Sequence, residues 1–306
     1  MRLAPSAIPP DLAARIPFGV MLGVAMLATW YATYYLARNP KAQPVAFAFG
    51  GEASPTDYAR ALADGGLLAF IACLGLAQLS HETTPALAQL CFTALCFFAF
   101  AALPYRTVLP LVAGTAGLAG LSLSGAPAMA VLFGIGGAVT YGADQWQVTE
   151  QPVVTRRRVA GIVVLTAGAA LLATLLDLWH WRIELPDPSF AKWKSVGRLL
   201  LWFTWPAWPL ICWTLWRWRR QLGSRNPSLH LSLPLWFVAV SLGTTIATAS
   251  TDRSLLLALP ALAALAAFSL PTLGRSVSAL IDWFTLLFFS GCAFIIWVIW
   301  LAMQTG

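Results

Sequence analysis

Charged residues are scarce in this chain. Only 10% of its 306 residues are Asp, Glu, Lys or Arg, against 59% that are hydrophobic, and the mean hydropathy is +0.73. A water-soluble domain of this length could not hide so large an apolar fraction in one core. The scarcity of charge therefore excludes a soluble protein and predicts an integral membrane protein.

The motifs of several common enzyme classes are also missing. No P-loop, GxSxG, HExxH or dinucleotide fingerprint occurs in a context that supports it. The five cysteines lie in apolar segments without the paired spacing of a metal site, which favours a role as small buried side chains. Residues 1–16 form a polar segment with no small-residue cleavage site behind a short apolar core, so a removable signal peptide is not expected.

What the chain does contain is a series of long apolar runs. Their lengths, about 17 to 25 residues, are typical of membrane-spanning helices and not of barrel strands. We predict an all-α integral membrane protein in which residues 1–306 form one polytopic bundle of about ten transmembrane helices. The predicted spans cover residues 17–37, 65–79, 86–103, 108–123, 127–141, 159–178, 199–216, 231–249, 255–273 and 280–303.

The basic residues predict the orientation of these spans. They gather in short loops at residues 156–158, 217–225 and 275, and the positive-inside rule assigns all three to the cytoplasm. The net charge of +7 therefore indicates topology and not nucleic-acid binding. Residues 38–64 are predicted to be a cytoplasmic segment on the membrane surface. Each predicted span crosses the membrane once. Counting crossings from these three loops therefore places four segments on the non-cytoplasmic side: the N-terminus, the turn at residues 81–82, the loop 179–198 and the turn at residues 252–253.

The leading candidate site is the adjacent pair Asp252 and Arg253, at the edge of a long apolar run. Charges at the edge of hydrocarbon are costly unless a polar partner meets them, so the pair could bind a substrate. It could equally be the polar tip of a tight turn between two helices. Cations beside a carboxylate would suit a phosphate-bearing substrate such as a lipid-linked phosphosugar. The other substrate-binding candidates on this side are His81, His180, Arg182 and Lys192.

Glu82 is the candidate catalytic carboxylate, although the catalytic residue is not identified by any motif. With His81 it is also a candidate ligand for a divalent cation, Mg²⁺ or Mn²⁺. Both residues precede Thr83, Thr84 and Pro85, where a helix is predicted to begin. Capping and the helix dipole explain an acid at that position without any function, so both interpretations stay open.

Tryptophans recur between residues 202 and 218. They could form a platform that stacks on sugars, but tryptophan is enriched at membrane interfaces, and that interpretation is favoured. Pro206 and Pro209 are expected to kink the helix that carries them. The carbonyls freed by the kink are tolerated only beside protein or a wet cavity.

Three segments resemble the GT-C membrane glycosyltransferases of family 39, the protein O-mannosyltransferase and lipid A aminoarabinose transferase type. Residues 14–18, ARIPF, lead into an apolar helix as in that family's "ARLPS" segment. Residues 202–209, WFTWPAWP, resemble its "PW" helix, which ends in cytoplasmic arginines. Residues 252–262 are similar to its "KY-LPALP" segment, with Arg253 at the basic position and Ser254 where an aromatic residue is usual.

The resemblance implies a polyprenyl-phosphate sugar donor, inversion at the sugar and an acceptor on the periplasmic side of a bacterial inner membrane. It implies that Arg253 contacts the donor phosphate and that His81 and Glu82 lie near the family's second acidic residue. Family members carry their catalytic acid in a long loop before the position of the "ARIPF" segment, and this acid has no counterpart here. We therefore expect a truncated or split protein, inactive alone, or a partner chain that supplies the missing segment.

Two function classes follow. The first is a glycosyltransferase that moves a sugar from a polyprenyl-phosphate donor to a lipid, glycan or protein acceptor. The second is a non-enzymatic membrane protein, either a transporter or an assembly subunit. Transporters often carry ionisable groups at mid-membrane and inverted repeats, and neither is evident in the sequence. The absence of both features from the sequence favours the glycosyltransferase over a transporter.

Overall fold

The computed structural model describes residues 10–43, 54–148, 152–179, 190–223, 228–247 and 252–305. Within these ranges the chain is helical and forms no β-strand, so the predicted fold class is confirmed at that level. The chain divides into two compact units, unit 1 (Met1–Ser269) and unit 2 (Leu270–Gly306).

The helices of unit 1 are, in chain order, α1 (Pro10–Ala37), α2 (Pro55–Ala72), α3 (Leu74–Leu79), α4 (Pro85–Ala102), α5 (Val108–Leu123), α6 (Pro127–Val148), α7 (Pro152–Leu175), α8 (Phe190–Phe203), α9 (Ala207–Arg217), α10 (Arg219–Leu222), α11 (Leu229–Ala247), α12 (Asp252–Leu255) and α13 (Leu259–Ala267). Short 3-10 helices cover Pro40–Ala42 and Leu256–Ala258. Several helices begin at a proline, whose fixed φ suits the first turn and whose missing N–H is not needed there.

Six helices in the described ranges are long and apolar enough to cross a membrane. They are Ala13–Ala37, Pro85–Ala102, Pro152–Leu175, Leu229–Ala247, Arg253–Thr272 and Ala279–Gln304. Each coincides with a predicted span, so the chain is a helical membrane protein, but ten crossings are not confirmed. The 16 residues of α5 reach only about 24 Å at 1.5 Å per residue, short of a hydrocarbon core of about 30 Å.

Small residues let α5 lie directly against α4. A Cβ atom on Gly117 would lie 2.6 Å from Cys96 Sγ and 2.8 Å from the carbonyl oxygen of Phe92. A Cβ on Gly120 would overlap the ring of Phe92. Only glycine at these two positions lets the helices lie this close together. Close contact of this kind stabilises helix pairs in membranes.

The centre of unit 1 is formed by α13 and α11. Every residue from Leu259 to Ala267 is buried, which is possible because α13 packs against α2, α9 and α11. On α11, Phe237 stacks on Phe133 with ring centroids 4.2 Å apart and also contacts Phe97. These aromatic contacts join α11 to α4 and α6.

Two interrupted helices meet inside unit 1. The second predicted span is divided at Cys73 into α2 and α3, and the seventh is divided at residues 204–206 into α8 and α9. At the crossing, the Leu74 N–H donates to the carbonyl oxygen of Trp205 over 3.0 Å. The break expected at Pro206 is confirmed. Pro209 does not break the chain again, because it lies in the first turn of α9. It has no N–H to give to the Trp205 carbonyl four residues before it, and Leu74 supplies that donor instead.

Basic residues collect at one end of unit 1. The Arg38 guanidinium lies over the ring of Tyr105, 5.1 Å from its centroid. Arg158 donates to the carbonyl oxygen of Pro104 over 3.3 Å. The ends of α1 and α4 and the start of α7 therefore meet here, in a region that we name the basic end.

The opposite end of unit 1 is named the Glu82 end. Glu82 lies just before α4, and α4 ends at the basic end. Arg253 lies after α11, and α11 begins at the basic end. The 18 residues of α4 separate the two ends by about 27 Å.

Unit 2 consists of a 3-10 turn, Leu270–Thr272, and the long helix α14 (Arg275–Thr305). None of the apolar stretch Ala279–Gln304 is buried by protein, and Trp283, Phe294 and Ile296 are among its exposed side chains. A long, exposed helix of this hydropathy is suited to lipid contact, although it carries the acid Asp282 near its start.

Candidate functional site

Glu82 and Arg253 meet at the Glu82 end of unit 1. Arg253 Nη2 donates a hydrogen bond to Glu82 Oε2 over 3.1 Å, although the residues are 171 positions apart in the chain. The Arg253 side chain is 57% exposed and that of Glu82 is 28% exposed. The pair can therefore be reached by a ligand without unfolding of the bundle.

The backbone around Glu82 is set by the link between α3 and α4. The Glu82 N–H donates to the carbonyl oxygen of Leu79 over 3.2 Å, which closes a turn at the end of α3. Thr84 is the N-cap of α4 and makes no side-chain capping bond. Within the described residues the Glu82 carboxylate bonds to Arg253 and not to the N-terminus of α4, so helix capping does not account for its position.

Buried apolar residues follow Arg253 in the chain and anchor its backbone in the bundle. Leu255, Leu256 and Leu257 are almost fully buried and fix the backbone immediately after it. The Ser254 hydroxyl donates to Thr245 Oγ1 over 3.2 Å and ties α12 to the end of α11. The exposed Arg253 guanidinium therefore belongs to a segment that is packed into the bundle from Leu255 onward.

The other predicted site residues are only partly described. His81 is exposed beside Glu82. Lys192 lies in α8 and Asp252 begins α12, but their side chains are outside the described part of the structure. His180 and Arg182 also lie outside the described residues. The structure therefore joins Glu82 to Arg253 and leaves the remaining candidates as predictions.

Helix α8 adds further basic residues to this end of unit 1. It packs against α3 and α12, the two helices next to the ion pair. Its Lys194 and Arg198 are exposed, whereas Val196 and Phe203 are buried. Helix α8 combines the end of the predicted loop 179–198 with the start of the span predicted from residue 199, where the chain becomes continuously apolar.

Among the residues that the structure describes, no group of three or more His, Cys, Asp or Glu side chains is placed to hold a metal ion. Glu82, the candidate metal ligand, faces a guanidinium instead. A cation at 3.1 Å opposes the binding of a second one at the same carboxylate.

A second polar cluster, which was not predicted from the sequence, lies at the basic end and is centred on Asp144. This carboxylate is fully buried and accepts hydrogen bonds from Lys41 Nζ, Asn39 Nδ2, Gln145 Nε2 and the Leu229 N–H, over 3.1 to 3.4 Å. The four donors come from three parts of the chain, so Asp144 holds together the segment after α1, the end of α6 and the start of α11. We name this group the Asp144 cluster.

Tyr58 extends the Asp144 cluster to α2. Its hydroxyl donates to the carbonyl oxygen of Ala42 over 2.9 Å, one residue after Lys41. Burial raises the pKa of Tyr58 to about 12, so the phenol keeps the proton that this bond requires.

His230, beside the Asp144 cluster, is also buried. Its ring contacts those of Trp218 and Phe268 edge-on, with centroids 5.0 and 5.2 Å away. Neither ring nitrogen has a partner among the described residues. A buried polar group of this kind is most simply satisfied by internal water.

The tryptophans between residues 202 and 218 lie on both sides of the break at residues 204–206. Trp202 and Trp205 lie near the crossing of the interrupted helices, whereas Trp216 is at the end of α9. Trp202, Trp205, Trp213 and Trp216 are all exposed on the bundle exterior, between 39% and 65%. This exposure favours lipid contact over a sugar platform.

No protein-family model, curated protein or solved structure matches this chain. Its function must therefore be argued from its own residues and their geometry.

Proposed function

We propose that this chain is a membrane glycosyltransferase that transfers a sugar from a polyprenyl-phosphate donor at the Glu82 end of unit 1. One observation carries the proposal: Arg253 and Glu82, 171 positions apart, are in contact at an exposed site at that end of the bundle. At the rim of a membrane bundle, an exposed guanidinium can bind a lipid phosphate, and a carboxylate can accept the proton of an acceptor hydroxyl.

Arg253 is the proposed ligand of the donor phosphate. A guanidinium offers a planar set of N–H donors that matches phosphate oxygens, and charge-assisted bonds of this kind are strong. More than half of the Arg253 side chain is exposed, at 57%, while the leucines that follow it are buried in the bundle. A phosphate attached to a lipid chain would reach such a side chain from the membrane surface.

Glu82 is the proposed general base. It takes the role of the loop acid that the resemblance implies, so the chain is proposed to act without a partner chain. In the transfer, an acceptor hydroxyl attacks the anomeric carbon of the donor sugar and its proton passes to the carboxylate. The bond between the sugar and the phosphate oxygen breaks, and its electron pair leaves with the polyprenyl phosphate. Arg253 stabilises the charge that develops on this leaving group. Attack opposite the departing phosphate inverts the configuration of the sugar.

The proposed orientation has the Glu82 end outside the cytoplasm, which is the periplasm for a bacterial inner membrane. Arg38, Lys41 and Arg158 meet at the basic end, together with Arg106 and Arg156 of the same turns. Such an accumulation of cations is typical of the cytoplasmic side. Lipid-linked sugars exposed on the far side are then the donors within reach of Arg253.

The proposal is tested by transfer from a radiolabelled polyprenyl-phosphate sugar in proteoliposomes that contain the full chain and a membrane extract as acceptor source. Arg253→Ala should reduce transfer at least tenfold, and Arg253→Lys should retain part of it, because lysine keeps the charge but not the planar fork. Arg60→Ala is the matched control, since Arg60 forms a similarly exposed ion pair with Asp57 over 3.3 Å in α2. Equal transfer by Arg253→Ala and Arg60→Ala would refute the proposed role.

A further inference from the structure

We propose that Glu82 occupies the phosphate-binding edge of Arg253 in the free protein, and that the donor phosphate displaces it. This inference rests on the function proposed above. Its consequence is an order of events in which the donor binds first, and the carboxylate becomes available to the acceptor only afterwards.

The geometry of the ion pair supports displacement. Glu82 Oε2 accepts from Arg253 Nη2 at 3.1 Å, so the carboxylate uses the same kind of N–H group that a phosphate oxygen would bind. A carboxylate and a phosphate on one guanidinium would also repel each other. Both ligands therefore compete for Arg253, and they do not bind it together in the same position.

The Asp144 cluster provides a comparison, because several donors hold its carboxylate in a fixed position. Asp144 is fully buried and has four donors from three parts of the chain. Glu82 is 28% exposed, and its described side-chain bond goes to one partner that is itself 57% exposed. An exposed single pair is weak, so a phosphate that binds with several charge-assisted bonds can replace the carboxylate.

Displacement requires only side-chain movement. The turn at Glu82 is closed by its backbone bond to Leu79, and α12 is tied to α11 through Ser254. These contacts keep both backbones in place while the carboxylate rotates away from Arg253. The released carboxylate has lost its cation and is then free to accept a proton from an acceptor hydroxyl.

The test is the affinity of a short-chain polyprenyl phosphate, without sugar, for the full chain in nanodiscs of neutral phosphatidylcholine. Glu82→Gln removes the competing charge and keeps the shape of the side chain. It should bind the probe about five times more tightly than the wild type, the equivalent of about 1 kcal/mol for an exposed ion pair. The matched control is Asp57→Asn, which removes the carboxylate of the exposed Arg60 pair and should leave the affinity unchanged.

The outcomes separate this inference from the proposed function. If Arg253→Ala loses affinity but Glu82→Gln binds no more tightly than the wild type, Arg253 is the phosphate ligand and the displacement is wrong. If Arg253→Ala binds the polyprenyl phosphate as well as the wild type does, the proposed function fails and the displacement fails with it. The same follows if neither the wild type nor Arg253→Ala binds the probe. A thermal unfolding midpoint equal to that of the wild type verifies that each variant is folded.

Discussion

Removal of the Asp144 carboxylate should destabilise the protein more than removal of any exposed acid. In Asp144→Ala the buried Leu229 N–H, which donates over 3.1 Å, loses its acceptor, at a cost of about 1–3 kcal/mol. Lys41 loses its ion pair as well, but its side chain is 31% exposed, so water replaces part of that interaction. The total expected loss is about 3 kcal/mol.

Equilibrium unfolding in mixed micelles, followed by tryptophan fluorescence, measures this loss. The control is Asp57→Ala, whose ion pair with Arg60 is more than 60% exposed on both sides and is expected to contribute less than about 1 kcal/mol. A free energy of unfolding for Asp144→Ala equal to that of the control would show that the Asp144 cluster does not hold the basic end together.

Two further predictions concern packing and pH. Gly117→Ala should lower the unfolding free energy by about 1–3 kcal/mol, because the new Cβ would meet the Phe92 carbonyl at 2.8 Å. The same change at Gly168, with no atom within 4 Å, should raise it by up to about 1 kcal/mol in the same unfolding assay, and equal effects would contradict the close contact of α4 and α5. Tyr58 has an ordinary pKa of 10.0 and a folded pKa of about 12, so only the unfolded chain loses the proton between these values and stability falls as the pH rises through them. Tyr58→Phe should show a shallower fall over that range, and a slope identical to that of the wild type would remove Tyr58 as its source.

Hydropathy predicts much of this fold because lipid requires long, continuous apolar helices. The spans at α1, α4, α7, α11 and α14 follow directly from that requirement. The break at residues 204–206 was predictable from Pro206, whose ring prevents a regular helix. The break at Cys73 was not, since neither proline nor glycine occupies that position. The interruption is stabilised by the carbonyl oxygen of Trp205, which lies in the distant break between α8 and α9.

The sequence also predicts part of the candidate site. Charge counting assigns Glu82 and Arg253 to one end of the bundle, and the structure brings them into direct contact. The sequence contains no signal for that pairing, which depends on how α4 and α11 pack. Asp144 was missed for a simpler reason: the predicted span ended at residue 141, whereas α6 continues to Val148. An acid one turn beyond Tyr141, on the same helical face, was the available signal.

The central claim is that Glu82 and Arg253 lie together on the non-cytoplasmic side of the membrane. It is tested most directly by the accessibility of the Glu82 end from outside the cell. In a variant with the five native cysteines replaced, single cysteines at Glu82 and Arg253 would be treated with a membrane-impermeant maleimide on intact cells. Arg60, which is 62% exposed on α2, provides the control position. We expect labelling at positions 82 and 253 in intact cells and at position 60 only after permeabilisation. Labelling at 82 and 253 only after permeabilisation would contradict it.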